Sequence, residues 1–321
     1  MRYVIYGAGA IGGGIGARLA QHGHTPVLIA RGAHLAAMQR DGLRLRAPGE
    51  DFRVRVTAVG HPSEVDWHGD EFVILTMKGQ DTAGALADLL AAAGPDVPVA
   101  CAQNGVENER QAARSFAHVY AMLVQMPATY LEPGEVILNG VSCSGILDAG
   151  VYPAGLDDRI REVCADLTAA GFIADPDPDV LRMKYAKLLN VNLGNAVQAI
   201  CGPDAPADEL QQRLKDEAYA AYAAAGIECV SSEQFWARDA QMTRGDVEGF
   251  KRSAGSTWQS LVSGRSLETD YLNGEIVLLG TLHGVPTPAN RAIQVCSARA
   301  IRERLAPGAI TVDEVLALAD R

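Results

Sequence analysis

The first thirty-one residues constrain this chain more tightly than any other stretch. Residues 1–6 form a short apolar run of strand type. Gly7-Ala8-Gly9-Ala10-Ile11-Gly12 follows, then a helical pattern over 13–21 and a second strand-like run over 26–30 that ends at Arg31. Strand, glycine turn, helix and strand in that order predict a Rossmann-type unit that holds the pyrophosphate of a dinucleotide. Gly7 permits the tight turn, Gly9 lets backbone approach the pyrophosphate, and Gly12 lets the helix lie close to the strand. The helix start offers unpaired N–H groups and the positive end of its dipole to the phosphates. Gly7, Ala8, Gly9, Ala10, Ile11 and Gly12 are therefore the candidate cofactor contacts. A glycine-rich turn without a ligand is the competing explanation, and the flanking strand and helix argue against it.

The end of the second strand carries finer information. NAD-binding chains of this type usually place Asp or Glu there, for the ribose 2′-hydroxyl. Here Ala30-Arg31 occupies the place, and the next carboxylate is Asp41. A guanidinium binds a 2′-phosphate through paired charged hydrogen bonds, whereas a carboxylate repels it. The expected cofactor is NADP(H) rather than NAD(H), the alternative being that Arg31 is an ordinary surface arginine.

At 321 residues the chain has length for two domains, and 48% hydrophobic with 21% charged residues is a soluble, globular composition. A net charge of −11 argues against broad nucleic-acid binding, which wants a basic face. Six cysteines (101, 143, 164, 201, 229 and 296) are scattered without C-x-x-C or zinc spacing. They are expected as buried thiols in a reducing compartment, and no metal is expected. No signal peptide and no bilayer-spanning stretch is expected, so the default is a cytoplasmic protein without a membrane partner.

Further along, a short helix is predicted over 34–40, and strands with one exposed face over 43–46 and 52–57. Continuous apolar runs over 71–76 and 98–102 predict buried central strands, with an alanine- and leucine-rich helix between them. More strands are predicted over 119–125, 135–138 and 144–147. The polar, two-proline turn over 175–179 marks the boundary. The fold class is thus α/β: a Rossmann-type dinucleotide-binding domain over 1–177, followed by an all-α substrate and catalytic domain over 178–321. Its helices are predicted over 181–198, 207–225, 233–242, 256–262, 267–283 and 288–305. An apolar face such as 218–225 suits a homodimer, and equally suits a core.

In an open parallel sheet, ligands bind beyond the carboxyl ends of the strands. Lys78 and Asn104 both sit there. Lys78 can supply positive charge, and Asn104 both a donor and an acceptor. A solvated lysine and an ordinary Asn-Gly turn account for them equally well.

The stretch 183–195 sets Lys184, Lys187, Asn190, Asn192 and Asn195 into an apolar helix. Lys184, Lys187, Val191 and Asn195 follow steps of three, four and four and share a face. Asn190 lies close to that face, and Asn192 is turned about 100° from Val191. A cation flanked by amides suits a carboxylate-bearing ligand, and a lysine partly withdrawn from water can serve as a proton donor. Solvated lysines and surface asparagines explain the same residues. Glu268 and Asp270 fall in the first turn of a predicted helix, where the dipole favours acids, so capping alone accounts for them.

Taken together these pieces resemble the ketopantoate reductase (2-dehydropantoate 2-reductase) family over essentially the whole chain. The matching residues are Gly7 to Gly12, Arg31, Lys78, Gln103-Asn104-Gly105, the Lys187 helix with Asn195, Glu268-x-Asp270-Tyr271-x-Asn273-Gly274, and His283-Gly284-Val285-Pro286-x-Pro288-x-Asn290. The resemblance implies hydride transfer from NADPH to the 2-oxo carbon of ketopantoate. It implies Lys187 as proton donor and Glu268 as the group that orients the substrate hydroxyl. It also implies Ser256, twelve residues before Glu268, as a carboxylate ligand. Asn104 would lie near nicotinamide and substrate, and Arg31 and Lys78 would hold the 2′-phosphate end.

The chain departs from the family in three places. Val191 stands where an asparagine is usual, with Asn190 and Asn192 flanking it, so either takes the role if the helix is over- or underwound. The tryptophan usual before the lysine is replaced around Met183 and Tyr185. Ser253 stands where an asparagine is usual. All three fall in the substrate half. The implied partner is therefore a small 2-oxo acid, the alternatives being a paralogous reductase of another small 2-oxo or β-hydroxy acid, or a non-catalytic NADP(H)-sensing protein.

Overall fold

Strand β1 (Arg2–Tyr6) turns Tyr3 and Ile5 to one side and Val4 and Tyr6 to the other, and all four are buried. Apolar residues at every position of a strand mean cover on both faces of its sheet, which is how a central parallel strand is built. The computed structural model describes residues 1–250, 255–262 and 264–321. They fall into two compact units. The first is Met1–Gln103, Asn108–Leu181 and Trp236–Arg252; the second is Asn104–Glu107, Arg182–Phe235 and Ser253–Arg321. The division after Leu181 lies near the predicted boundary at 177. It differs in giving 104–107 to the second unit and 236–252 to the first.

In the first unit β1 leads into α1 (Ala10–Gln21), β2 (Val27–Ile29), α2 (Gly32–Asp41), β3 (Leu43–Ala47), β4 (Glu50–Val54) and β5 (Thr57–Val59). Then come β6 (Glu71–Leu75), α3 (Thr82–Ala93), β7 (Val99–Cys101), α4 (Glu107–Ala112), β8 (Val119–Met122), β9 (Ala128–Thr129), β10 (Glu135–Leu138), β11 (Ala149–Val151) and α5 (Asp158–Ala169). The larger sheet runs β11-β8-β7-β6-β1-β2-β5. All its pairs are parallel except β11 with β8. Read from β5 to β8, this is the doubly wound dinucleotide-binding order, and it reverses between β1 and β6.

One face is covered by α3 through Ala85, Leu86 and Leu89. The other is covered by α1 and by α5, through Ile160, Val163, Cys164 and Leu167. A second sheet, β4-β3-β10-β9, packs on the far side of α1. A Cβ on Gly13 would lie 2.7 Å from Val136 Cγ1, and one on Gly14 2.4 Å from Met126 Cε. A helix held between two sheets has no room there for a side chain.

Two expectations are corrected in this unit, and one helix is added to them. The strand predicted over 144–147 is displaced to Ala149–Val151, and Ile146 makes only isolated bridges to Gln125 and Ile173. The run predicted over 52–57 splits between β4 and β5. Helix α5, for which the expectations make no provision, starts at Asp157, whose carboxylate accepts from Ile160 N at 2.8 Å. Residues 236–250 return to this unit because Arg238 donates to Asp148 and, at 2.7 Å, to Asp175. Backbone bonds Val141 N to Thr243 O and Gly245 N to Asn139 O, both 2.9 Å, extend the attachment.

The second unit contains α6 (Val180–Lys187), a π-turn at Leu188–Asn192, α7 (Leu193–Cys201), α8 (Asp208–Ala225), α9 (Ser232–Asp239), α10 (Ser256–Val262), α11 (Asn273–His283), α12 (Pro288–Arg302) and α13 (Val312–Ala319). Helices α6 and α9 begin or end in the first unit. Leu189, Leu193, Val197, Leu210, Leu214, Ile276 and Ile293 belong to its core. Ala218, Ala221 and Tyr222 belong to the same core, while Tyr219, Ala220, Ala223 and Ala224 of the stretch 218–225 are exposed. Helix α12 starts on a borrowed acid: Glu217 accepts from Ala289 N at 2.7 Å and Asn290 N at 2.9 Å.

Candidate active site

The glycine turn of the first unit shows which glycines serve packing and which do not. Gly7 has φ of +103°, and a Cβ there would lie 2.7 Å from Met77 N. A Cβ on Gly12 would lie 2.3 Å from Thr76 Oγ1 and 2.5 Å from Gly7 O. Thr76 Oγ1 donates to Gly7 O at 2.7 Å, which ties the turn to the end of β6. Around Gly9, by contrast, nothing lies within 4 Å of where a Cβ would stand. Gly9 is the N-cap of α1; no side chain caps that helix, and its first turn, with Ala10, Ile11 and Gly12, holds no acid. Ala8 is buried. Open space over Gly9 and uncapped N–H groups fit a dinucleotide pyrophosphate.

Arg31 is exposed at the start of α2, in a first turn without acids. Burial pushes the Tyr6 hydroxyl up, with Asp88 adding to the rise and Arg31 opposing it, so the guanidinium lies within electrostatic reach of the end of β1. Lys78 is half-buried directly after Met77. Gln103 Nε2 donates to Met77 O at 2.9 Å and to Thr82 Oγ1 at 2.8 Å, and Thr82 Oγ1 donates to Asn108 Oδ1 at 2.8 Å. These bonds hold the ends of β6 and β7 in one arrangement. His34, which the helix pattern leaves without a role, is buried against the turn: its Nε2 is 2.6 Å from Ala8 O, and its Nδ1 accepts from Gly134 N at 2.8 Å.

In the second unit Lys187 closes α6 and is 9% exposed; its Nζ donates to Asn104 Oδ1 at 2.6 Å. The π-turn follows at once, with Leu193 N donating to Leu188 O, five residues back. Such a turn absorbs one residue. Asn195 therefore comes into phase as a residue seven on would, about 20° from Lys187 instead of about 80° away. The helix is thus underwound where the sequence placed Val191 in the asparagine's position.

The two neighbours of Val191 differ: Asn190 is half-exposed and Asn192 is buried. Asn190 is engaged at both ends, Nδ2 donating to Ala186 O at 2.8 Å and Oδ1 accepting from Ser232 Oγ at 2.7 Å. Asn192 turns to the buried side, where its Oδ1 has no partner among the described residues. Val191 and Asn195 stay half-exposed. Lys184 is buried on α6.

Glu268 is 8% exposed and stands before a 3-10 turn, Thr269–Tyr271, not inside a helix, and it makes no side-chain cap. Helix α11 begins only at Asn273, so capping does not explain this acid. Asp270 is exposed and accepts from Gln294 Nε2 at 2.9 Å. A Cβ on Gly105 would lie 3.0 Å from Tyr271 O, which sets the Asn104-Gly105 turn against the Glu268 turn. Asn273, in the same motif, donates to Asn290 Oδ1 at 3.0 Å and to Leu193 O at 3.4 Å, so these two motif asparagines are structural. A Cβ on Gly255 would lie 3.3 Å from Asn195 Oδ1, placing Asn195 beside the start of α10. Ser256 is the first residue of α10; its side chain, and all of Ser253, lie outside the described residues.

Among the described residues no cluster of His, Cys, Asp or Glu could hold a metal, and no helix is long and apolar enough to cross a membrane. Of the six cysteines, Cys143 and Cys229 are half-buried and the other four are buried.

Two family models match the chain: "Ketopantoate reductase PanE/ApbA" over residues 3–153 and "Ketopantoate reductase PanE/ApbA C terminal" over 179–299. The 2-dehydropantoate 2-reductase of Mesorhizobium japonicum is 28% identical, across 95% of this chain and 99% of that protein. The Pyrococcus horikoshii protein of the same name is 26% identical, across 90% and 94%. Among solved structures, a PanE/ApbA family ketopantoate reductase from Ralstonia eutropha JMP134 superposes with a TM-score of 0.80 at 29% identity, covering 95% of this chain and 99% of that one. D-mandelate dehydrogenase bound to NADH and anilino(oxo)acetate shares the fold, with a TM-score of 0.82 at 23% identity and the same coverage.

Proposed function

The chain belongs to the ketopantoate reductase family, oxidoreductases that act on CH–OH groups with a nicotinamide dinucleotide, and from that premise we propose that it reduces a small 2-oxo acid, ketopantoate first among them, with NADPH. The observation that carries the proposal is the short bond between Lys187 Nζ and Asn104 Oδ1, made by a lysine almost wholly withdrawn from water.

The bound cofactor supplies a hydride, and with it two electrons, to the 2-oxo carbon. The chain's own residues do the rest. Gly9 and the uncapped start of α1 receive the pyrophosphate, and Arg31 with Lys78 neutralises the 2′-phosphate. Lys187, as the ammonium, gives its proton to the carbonyl oxygen as negative charge gathers there, leaving a 2-hydroxy acid and a neutral amine that solvent reprotonates. Asn104, as acceptor, keeps one N–H of Lys187 occupied and so aims the others. Asn195 and Ser256 bind the substrate carboxylate, and Glu268 accepts from the substrate's hydroxyl. Asn190 and Asn192 are left with supporting parts.

A second reading is favoured by Val191. A half-exposed apolar side chain four residues on from Lys187 suits a 2-oxo acid with a branched or aromatic side chain and no hydroxyl, as in the ligand of the D-mandelate dehydrogenase structure. Rates with ketopantoate and with a panel of such acids decide between the two. Dissociation constants for NADPH and NADH, in the parent and in Arg31→Ala, test the cofactor. A preference for NADPH that Arg31→Ala abolishes is expected; a parent that prefers NADH contradicts it.

A further inference from the structure

We propose that His34 is a positioning residue for cofactor binding, holding the glycine turn in its receptive form through the Ala8 carbonyl. The inference rests on the dinucleotide reading of that turn. His34 lies in the first turn of α2 and is 6% exposed. A backbone N–H can only donate, so Nδ1, which receives Gly134 N at 2.8 Å, is the acceptor. Nε2 then carries the hydrogen and donates to Ala8 O at 2.6 Å. Both ring nitrogens are used, in one tautomer of the neutral imidazole. Burial, which pushes the group's pKa down against the opposing pull of the Ala8 carbonyl, favours the same form.

What His34 fixes is the peptide between Ala8 and Gly9. Its carbonyl is held by the imidazole, and its N–H donates to Gly7 O at 2.7 Å. A planar trans peptide pinned at both ends cannot turn over. Released, it could turn the Ala8 carbonyl toward the place where an anion sits, and the carbonyl dipole would repel a phosphate.

The anchor on the other side is firm. Gly134 has φ of +79°, a Cβ there would lie 2.9 Å from Ala37 Cβ of α2, and its carbonyl accepts from Arg44 N at 2.9 Å. The Tyr130 ring lies 4.5 Å from the imidazole, centroid to centroid. Two strands and a helix thus locate the ring, and the ring locates the turn.

The test compares ligands with and without the pyrophosphate in the parent, His34→Gln and His34→Ala. NADPH is expected to bind roughly five- to tenfold more weakly to His34→Ala, the scale of one lost supporting hydrogen bond. Adenosine 2′-phosphate, which lacks the pyrophosphate, is expected to bind within twofold of the parent. His34→Gln, whose amide can still donate to Ala8 O, is expected to recover part of the loss. Equal weakening of both ligands, or no weakening of NADPH, overturns the proposal. Should His34→Ala not fold, nitrogen NMR of the parent's imidazole decides: the neutral, Nε2-protonated form is expected at neutral pH, and the Nδ1-protonated or cationic form overturns it. A parent that binds neither NADPH nor NADH refutes the dinucleotide reading itself, a result distinct from any difference among the variants.

Discussion

Lys187 Nζ lies 2.6 Å from Asn104 Oδ1, although the two residues are far apart in the chain. Asn104 comes three residues after the buried end of β7, joined to it through Ala102 and Gln103, and Lys187 ends α6. The bond joins the signal read at the strand ends to the signal read in the lysine-rich helix.

Replacing Lys187 by alanine is expected to lower kcat by roughly a hundredfold or more, the scale of a lost general acid, with NADPH binding unchanged. Lys184→Ala should leave kcat within a fewfold of the parent. Steady-state kinetics of both variants checks this; the opposite ranking would move the proton donor to Lys184.

Glu268→Gln is expected to raise KM by about tenfold while the melting temperature stays within a few degrees, because the carboxylate caps no helix. Loss of thermal stability with an unchanged KM would make it a structural acid instead.

The glycines of the turn should separate into two kinds. Gly12→Ala forces a Cβ against Thr76 Oγ1 and the Gly7 carbonyl and is expected to cost about 1–3 kcal/mol of stability. Gly9→Ala, with nothing within 4 Å of the added carbon, should unfold like the parent yet bind NADPH at least about tenfold more weakly. Denaturation and cofactor titration of the two variants read the two effects independently.

Much of this was legible in the sequence, and the parts that were not have physical reasons. The glycine turn, the buried strands and the helical second half follow from periodicity and spacing, which local chemistry sets. The π-turn at Leu188–Asn192 does not: Leu-Leu-Asn-Val-Asn carries no glycine or proline to mark a change of winding. Glu268 looked like a capping acid because acids and helix starts go together, and only the 3-10 turn separates the two. Residues 104–107 change units through contacts to Lys187 and Tyr271, which have no local signature. His34 was hidden because a helix pattern does not say what its first turn faces. Helix α5, by contrast, carried a readable stripe at Ile160, Val163, Cys164 and Leu167 and an Asp157 cap.

Stability should fall in mild acid through His34. Its folded pKa lies below the ordinary value of 6.5, so the neutral ring's contribution is complete above that value and is lost as pH falls through the folded one. Between neutral pH and pH about 5, the parent's melting temperature is expected to drop further than that of His34→Gln. Parallel curves would show that His34 is not the titrating group.

The central claim is that this chain moves a hydride from NADPH to a 2-oxo acid. The most direct measurement mixes the parent protein with NADPH and ketopantoate, then with the branched and aromatic 2-oxo acids, and follows nicotinamide absorbance and product together. The account predicts oxidation of NADPH matched one for one by the 2-hydroxy acid, with at least one member of the panel. NADPH bound but oxidised by none of them would contradict it and leave a cofactor-binding protein without a reductase's chemistry.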